Sequence, residues 1–324
     1  MYSHSELKEL VDKAIINLSF NTEAESLVDP IKYVLSIGGK RIRPVLALMA
    51  CNLFNDKIDE AIMPAVGLEV FHNFTLVHDD IMDQAPLRRN LPTVHSKWDL
   101  NQAVLSGDVM AFIANECFLQ TPLGCLQKVF RIYNTTATEV CVGQQFDIDF
   151  EKKTVVPEGD YLRMIELKTA VLLAASARIG AVIGGADEKD SELMYEFGRN
   201  LGLAFQIQDD YLDTYGDIKV FGKTTGGDIG ANKKTFLLVK ALEIASPDQF
   251  NQIHELIGKT ETDPVEKVKM MTGLYDQLGI KKLTEALADD YIENAFKMLE
   301  QVSVKRERKA ELEAIAGSLK GRNK

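Results

Sequence analysis

The stretch VHDDIMDQAPLRRN, residues 77–90, sets three carboxylates, Asp79, Asp80 and Asp83, just ahead of Arg88 and Arg89. On a helix, Asp79 and Asp83 project from one face with about 5–6 Å between Cβ atoms. Left alone they repel, and a hard divalent cation such as Mg²⁺, which takes oxygen ligands, offsets that repulsion. The pattern recurs in FQIQDDYLDTYGD, residues 205–217, as Asp209, Asp210 and Asp213. Two such helices facing each other would hold cations between them, as inward carboxylate arrays do in helix bundles. A chain with 48 acidic residues produces some i, i+4 acid pairs by chance, and DDYIE at 289–293 is nearly a third copy. Only the first two copies follow apolar residues and lead into loops carrying lysine or arginine.

Lysine and arginine have no acceptor to offer a metal, so the basic residues point to an anion. Arg88 and Arg89 follow the first cluster, Lys223 and Lys233 follow the second, and GGKRIRP places Lys40, Arg41 and Arg43 behind a glycine pair. Magnesium, arginine and lysine together describe a diphosphate site: the metal bridges phosphate oxygens, arginine gives planar bidentate donors and lysine a point charge. Two separate basic sets suggest two diphosphates. The alternative for each set is a solvated, solubilising surface.

The elements that must position these groups read as helices. Leu283, Leu287, Tyr291 and Ala295, then Met298 and Leu299, recur at spacings of three and four, and no comparable alternating strand pattern is present. Breaks fall at SIGGKRIRP, QAPLRRNLPTVH, TPLGC, EKKTVVPEGD, GGADEKD and ASPDQ, with a longer Gly-rich segment at 216–231. With 324 residues and 46% hydrophobic content the chain can bury a large core, as one large domain or two ordinary ones. No low-complexity linker or composition shift divides it, so residues 1–324 read as one all-α domain. A net charge of −11 argues against a general nucleic-acid binder and makes any phosphate recognition local. Cys51, Cys117, Cys125 and Cys141 show neither zinc spacing nor a disulfide framework, which fits a reducing cytoplasm. The N-terminal stretch lacks the pattern of a secretory signal, and no run approaches the roughly 18 apolar residues of a membrane span.

Taken together, these residues resemble the trans-isoprenyl diphosphate synthase family, whose members make farnesyl, geranylgeranyl and longer polyprenyl diphosphates. The likeness runs from GGKRIRP to GKTTGGDIGANK, with both aspartate-rich motifs in order, the arginine pair at the expected offset, and Phe205-Gln206 just before the second motif. The resemblance implies the isoprenoid synthase fold: helices around a central cavity, the two acidic motifs facing across its mouth, and a homodimer. It implies three Mg²⁺ ions, two on Asp79 and Asp83 and a third on Asp209, with Asp80, Asp210 and Asp213 in support. It places isopentenyl diphosphate on Lys40, Arg43, His72 and Arg89, and the allylic diphosphate on Arg88, Lys168, Thr169, Gln206, Lys223 and Lys233. GQQFD at 143–147 also matches a family segment and brings Gln144 and Asp147 near the site. Without the family, nothing lifts ELKTA, which holds Lys168 and Thr169, above an ordinary helix surface.

The reaction so implied ionises the allylic diphosphate, adds the resulting cation to isopentenyl diphosphate, and loses a proton to give a product five carbons longer. In the family a bulky residue five positions before the first aspartate floors the cavity. Here that residue is Phe74, followed by Thr75, with Phe71 one turn earlier. Residue size at this position favours a short product. The aromatic there, threonine rather than a second aromatic after it, and no insertion within DDIMD resemble the geranylgeranyl-forming type, which implies a twenty-carbon product. Phe71 makes fifteen carbons, a farnesyl product, the alternative. A terpene cyclase would not need a second basic set. A non-catalytic subunit of a hetero-oligomeric synthase would be expected to have lost part of an acidic motif, and both are intact.

Overall fold

Leu7, Val11 and Ile15 form the buried stripe of α1 (His4–Ile16), whose start Ser3 and Glu6 close with a reciprocal capping box. The computed structural model describes residues 1–20, 23–216, 226–258 and 263–320. The chain continues through α2 (Glu25–Ser36), α3 (Ile42–Phe54), α4 (Asp59–Met82), a hairpin of β1 (Leu87–Arg88) and β2 (Leu91–Pro92), α5 (Val94–Lys97), α6 (Leu100–Leu119) and α7 (Leu123–Glu151). Then come α8 (Glu158–Ile165), a π-turn (Glu166–Ala170), α9 (Val171–Gly184), α10 (Glu188–Tyr215) and the short α11 (Gly227–Gly230). The last elements are α12 (Phe236–Ile244), α13 (Pro247–Gly258), α14 (Pro264–Gln277), α15 (Ile280–Gln301), a 3₁₀ turn (Arg306–Lys309) and α16 (Ala310–Lys320). The all-α expectation holds, with 81% of the described residues helical. The hairpin is absent from the sequence reading because two-residue strands are too short to show an alternating pattern.

The chain divides into two compact units, each assembled from separated segments. Residues 1–134, 175–195 and 302–312 form the first; 135–174, 196–301 and 313–324 form the second. In the first, α4 packs along α6, where Gly67 brings the helices close, and α3 is buried over nearly its whole length. Gly180 and Gly184 admit the α3 backbone against α9: a Cβ on Gly184 would lie 2.6 Å from the Cys51 carbonyl oxygen. In the second, Tyr161, Met164, Ile207 and Phe236 form the centre of one core, and Leu237, Ile253, Tyr275 and Ile280 that of another.

The helical run Glu158–Gly184 has the length and apolarity to cross a membrane, a feature the sequence reading did not anticipate. The reason is that the apolar window includes small and hydroxylated residues rather than an unbroken aliphatic run. Of that window, 78% is buried inside the protein, the state of a core helix.

Candidate active site

The first acidic cluster occupies the C-terminal end of α4. Asp79 and Asp80 lie in the last turn, Asp83 is the C-cap, and no basic residue of the helix accompanies them. A helix C-terminus carries partial negative charge, so carboxylates there add like to like and favour a cation from elsewhere. Asp80 is 5% exposed, whereas Asp83 is exposed. Burial pushes the Asp80 carboxyl above its ordinary range, against the opposing pull of Arg88.

The hairpin after α4 separates the adjacent arginines. Arg89 and Asn90 form its two-residue turn, both left-handed with φ of 52° and 62°, the geometry that a primed hairpin turn demands. Arg88, on β1, donates from Nε to Asp80 Oδ1 at 2.8 Å and from a terminal nitrogen to Asp79 Oδ2 at 3.2 Å. Arg89 instead donates to the Gly38 carbonyl. A Cβ on Gly39 would lie 2.7 Å from the Arg89 guanidinium, so that approach requires the glycine. Tyr33 of α2 ties the hairpin down by donating from its hydroxyl to the Pro92 carbonyl at 2.8 Å.

Beside Gly39, Lys40 is exposed and Arg43 opens the first turn of α3. Burial lowers the Arg43 guanidinium to about 10, with the charge of Arg89 adding to the effect and that of Glu69 opposing it. Its Nε is buried with no hydrogen-bond partner. A buried donor at a helix N-terminus, beside a second arginine, suits an anion. Arg41, grouped with these cations by sequence, turns inward. It is 4% exposed and donates to Asp12 (3.0 Å), Glu69 (2.7 Å) and the Leu35 carbonyl (2.7 Å). Its donors are committed to the protein, and its left-handed φ of 51° shapes the turn between Gly39 and α3.

His72 is half-buried, and burial with the charges of Arg43, Arg89, Arg88 and Arg41 holds its imidazole well below the usual range. Native His72 therefore refuses a proton that the unfolded chain takes below about pH 6.5. The unfolded state binds more protons there, so stability falls as pH drops below that value, by up to about 1.4 kcal/mol per pH unit for one group. His72→Gln should flatten this slope in urea melts taken from pH 7 to 5. An unchanged slope would mean that His72 titrates normally.

In the second unit, Lys168 and Thr169 ride on the π-turn, a helix irregularity frequent at functional sites. Lys168 Nζ donates to Asp147 Oδ2 of α7 at 2.6 Å. Thr169 Oγ1 donates to Gln206 Oε1 at 3.0 Å, and Gln206 Nε2 donates to Asp210 Oδ1 at 3.1 Å. Asp210 Oδ2 accepts from the Tyr161 hydroxyl and from the Phe236 backbone N–H (2.8 Å) at the start of α12. Burial raises the Asp210 carboxyl to about 7 against these three donors. Asp209, one residue away, is exposed. Asp213 Oδ2 accepts from the Asp228 N–H at 2.9 Å, and the Lys233 N–H from the same loop donates to the Asp228 carbonyl at 2.9 Å. Asp213 thus anchors the loop that presents Lys233. Lys223 lies outside the described residues. Sequence reasoning passed over Tyr161, since an isolated buried tyrosine carries no motif.

Among the described residues no three His, Cys, Asp or Glu side chains converge closely enough to hold a metal ion by themselves. Mg²⁺ characteristically binds through one or two carboxylates and completes its shell with water and substrate phosphate oxygens. Asp79 with Asp83, and Asp209 separately, fit that usage.

A polyprenyl synthetase family model matches residues 24–274, most of the chain. The chain belongs to the polyprenyl synthetase family. It is 37% identical over 312 residues to a geranylgeranyl diphosphate synthase of Sulfolobus acidocaldarius, covering 94% of this chain and 93% of that one. A geranylfarnesyl diphosphate synthase of Natronomonas pharaonis is 38% identical over 256 residues, 73% of this chain and 75% of its own. A crystal structure of a geranylgeranyl pyrophosphate synthase superposes with a TM-score of 0.94 at 40% identity, over 100% of both chains. The polyprenyl synthetase assignment agrees with the resemblance read from the two aspartate motifs.

Proposed function

We propose that the chain is a Mg²⁺-dependent trans-prenyltransferase that joins isopentenyl diphosphate to an allylic diphosphate and releases geranylgeranyl diphosphate. One observation carries this reading beyond family membership: the hairpin sends Arg88 to the acidic end of α4 and Arg89 to the Gly38–Gly39 turn beside Arg43. Two guanidinium groups with separate surroundings serve a reaction that holds two diphosphates. A cyclase holds one. The similarity to geranylgeranyl diphosphate synthases supports the product.

In this reading Asp79 and Asp83 hold two Mg²⁺ and Asp209 the third. Bound Mg²⁺ supplies charge neutralisation on the diphosphate as it leaves. Arg88, Lys168, Lys223 and Lys233 bind the allylic diphosphate, and their fixed positive charge stabilises the negative charge that develops as the C1–O bond breaks. Lys40, Arg43, Arg89 and His72 bind isopentenyl diphosphate. Thr169 and Gln206 face the allylic carbon with oxygens whose direction the Asp210–Tyr161 pair fixes. The double bond of isopentenyl diphosphate attacks C1, and the proton lost afterwards passes to the released diphosphate, so no side chain needs a tuned pKa. Apolar walls exclude water that would trap the cation. The family match at residues 24–274 runs through both compact units, which supports reading residues 1–324 as one functional domain.

Product length follows from Phe74. Its ring is half-buried, edge-on to His78 at 4.8 Å, and backed by Phe71 at 5.6 Å. Phe71 is 3% exposed and perpendicular to Tyr133 at 5.5 Å. Thr75 keeps its hydroxyl on the His72 carbonyl, 2.8 Å away. In this reading Phe74 is the ring a growing chain meets, with Phe71 as its support. Incubation with Mg²⁺, labelled isopentenyl diphosphate and each allylic primer should give a twenty-carbon product, and Phe74→Ala should lengthen it. No product with any primer would reject the prenyltransferase reading, and an active Phe74→Ala with unchanged products would move the floor elsewhere.

We read the assembly as a homodimer. Leu105, Phe112 and Leu119 recur every seven residues on α6 and are 56%, 66% and 53% exposed, and Leu123 beyond them is 90% exposed. Such a stripe is an association surface rather than a solvated face. The four cysteines are free thiols, which suits a cytoplasmic setting.

A further inference from the structure

The π-turn that carries Lys168 and Thr169 is gripped from two sides by glycines, and each glycine precedes by one helical turn the residue that binds the adjacent side chain. On α7, a Cβ on Gly143 would lie 2.3 Å from the Lys168 backbone nitrogen and 2.7 Å from its Cα. Four residues on, Asp147 receives the Lys168 ammonium at 2.6 Å. On α10, a Cβ on Gly202 would lie 2.5 Å from the Ala170 Cα and 2.8 Å from its Cβ. Four residues on, Gln206 receives the Thr169 hydroxyl at 3.0 Å. Residues four apart share a helix face, so each flanking helix presents one empty position and one polar partner to the same turn.

We infer that Gly143 and Gly202 are positioning residues for Lys168 and Thr169: the absent side chains set how deeply the π-turn seats between α7 and α10. Asp147 and Gln206 then set where the ammonium and hydroxyl point. A π-turn widens the backbone by one residue, and packing that tolerates no methyl group on either side holds the widened register in place. A methyl at either glycine displaces the turn by a substantial part of an ångström. A displacement of about 1 Å at catalytic groups costs on the order of 10²-fold in rate.

The inference rests on the proposed allylic role of Lys168 and Thr169, and the experiment separates the two. Gly143→Ala and Gly202→Ala are compared with Gly184→Ala, which also meets backbone inside van der Waals contact, the Cys51 carbonyl at 2.6 Å, away from the π-turn. Steady-state kinetics with both substrates, thermal midpoints, and each glycine variant in a Lys168→Ala background are measured. The expected result is a fall in kcat of about 10²-fold for the two site glycines with a raised KM for the allylic substrate. The KM for isopentenyl diphosphate is unchanged, and Gly184→Ala loses stability alone. In the Lys168→Ala background the effect of Gly143→Ala should largely vanish, because the two act through one group. Equal kinetics for all three glycine variants, full additivity with Lys168→Ala, or failure of both site variants to fold while Gly184→Ala folds would overturn the inference. A Lys168→Ala enzyme with wild-type kinetics would instead overturn the allylic assignment.

Discussion

Asp79→Ala and Asp209→Ala should each lower kcat by about 10²–10³-fold, the loss expected when one stabiliser of developing charge is removed from an otherwise intact site. Thermal stability should stay unchanged or rise slightly. Asp79 sits with Asp83 at the negative end of α4, so its removal relieves repulsion. Its pair with Arg88 is partly buried, but Arg88 keeps its 2.8 Å contact with Asp80 when Asp79 is removed, so the guanidinium is not left unpaired. Asp209 is exposed, whereas its neighbour Asp210 holds Tyr161, Gln206 and the start of α12, so Asp210→Ala should unfold part of the second unit. Initial rates at saturating substrates and Mg²⁺, paired with thermal melts, distinguish the two kinds of loss. Full activity in a chelator, or Asp79 and Asp209 variants that simply fail to fold, would sink the metal-site reading.

The second large effect is a division of labour between Arg88 and Arg89. Arg89→Ala should raise the KM for isopentenyl diphosphate and leave that for the allylic substrate close to wild type; Arg88→Ala should do the reverse. Hydrogen bonds to charged groups contribute about 1.5–3 kcal/mol, so each change should be roughly tenfold to above a hundredfold in the affected constant. The basis is the hairpin, whose left-handed turn at Arg89 and Asn90 points consecutive side chains at different neighbours. Arg88→Lys should recover only part of the loss, because an ammonium cannot span Asp79 and Asp80 as the guanidinium fork does. If both alanine variants weaken the same substrate, the arginines serve a single anion and the two-diphosphate reading loses its structural support.

Much of this protein is legible in one dimension. Three- and four-residue apolar spacing determines the helices, and glycine- and proline-rich breaks mark their ends, because both depend on local geometry. The paired Asp-Asp-x-x-Asp motifs and their basic loops point to metal and diphosphate chemistry, since like charges four residues apart on a helix call for a counter-charge. The tertiary structure alone decides direction. Asp209 and Asp210 are adjacent in sequence, but one helical step turns the first to solvent and the second into the core, and no local pattern says which. Arg41 and Arg43 are two residues apart in one basic motif, yet Glu69 and Asp12, distant in sequence, draw the first inward. Lys168 and Thr169 carry no signal of their own: their place depends on a π-turn that glycines on two other helices admit. Sequence spacing sets which residues share a face, whereas what that face meets depends on packing between elements far apart in the chain.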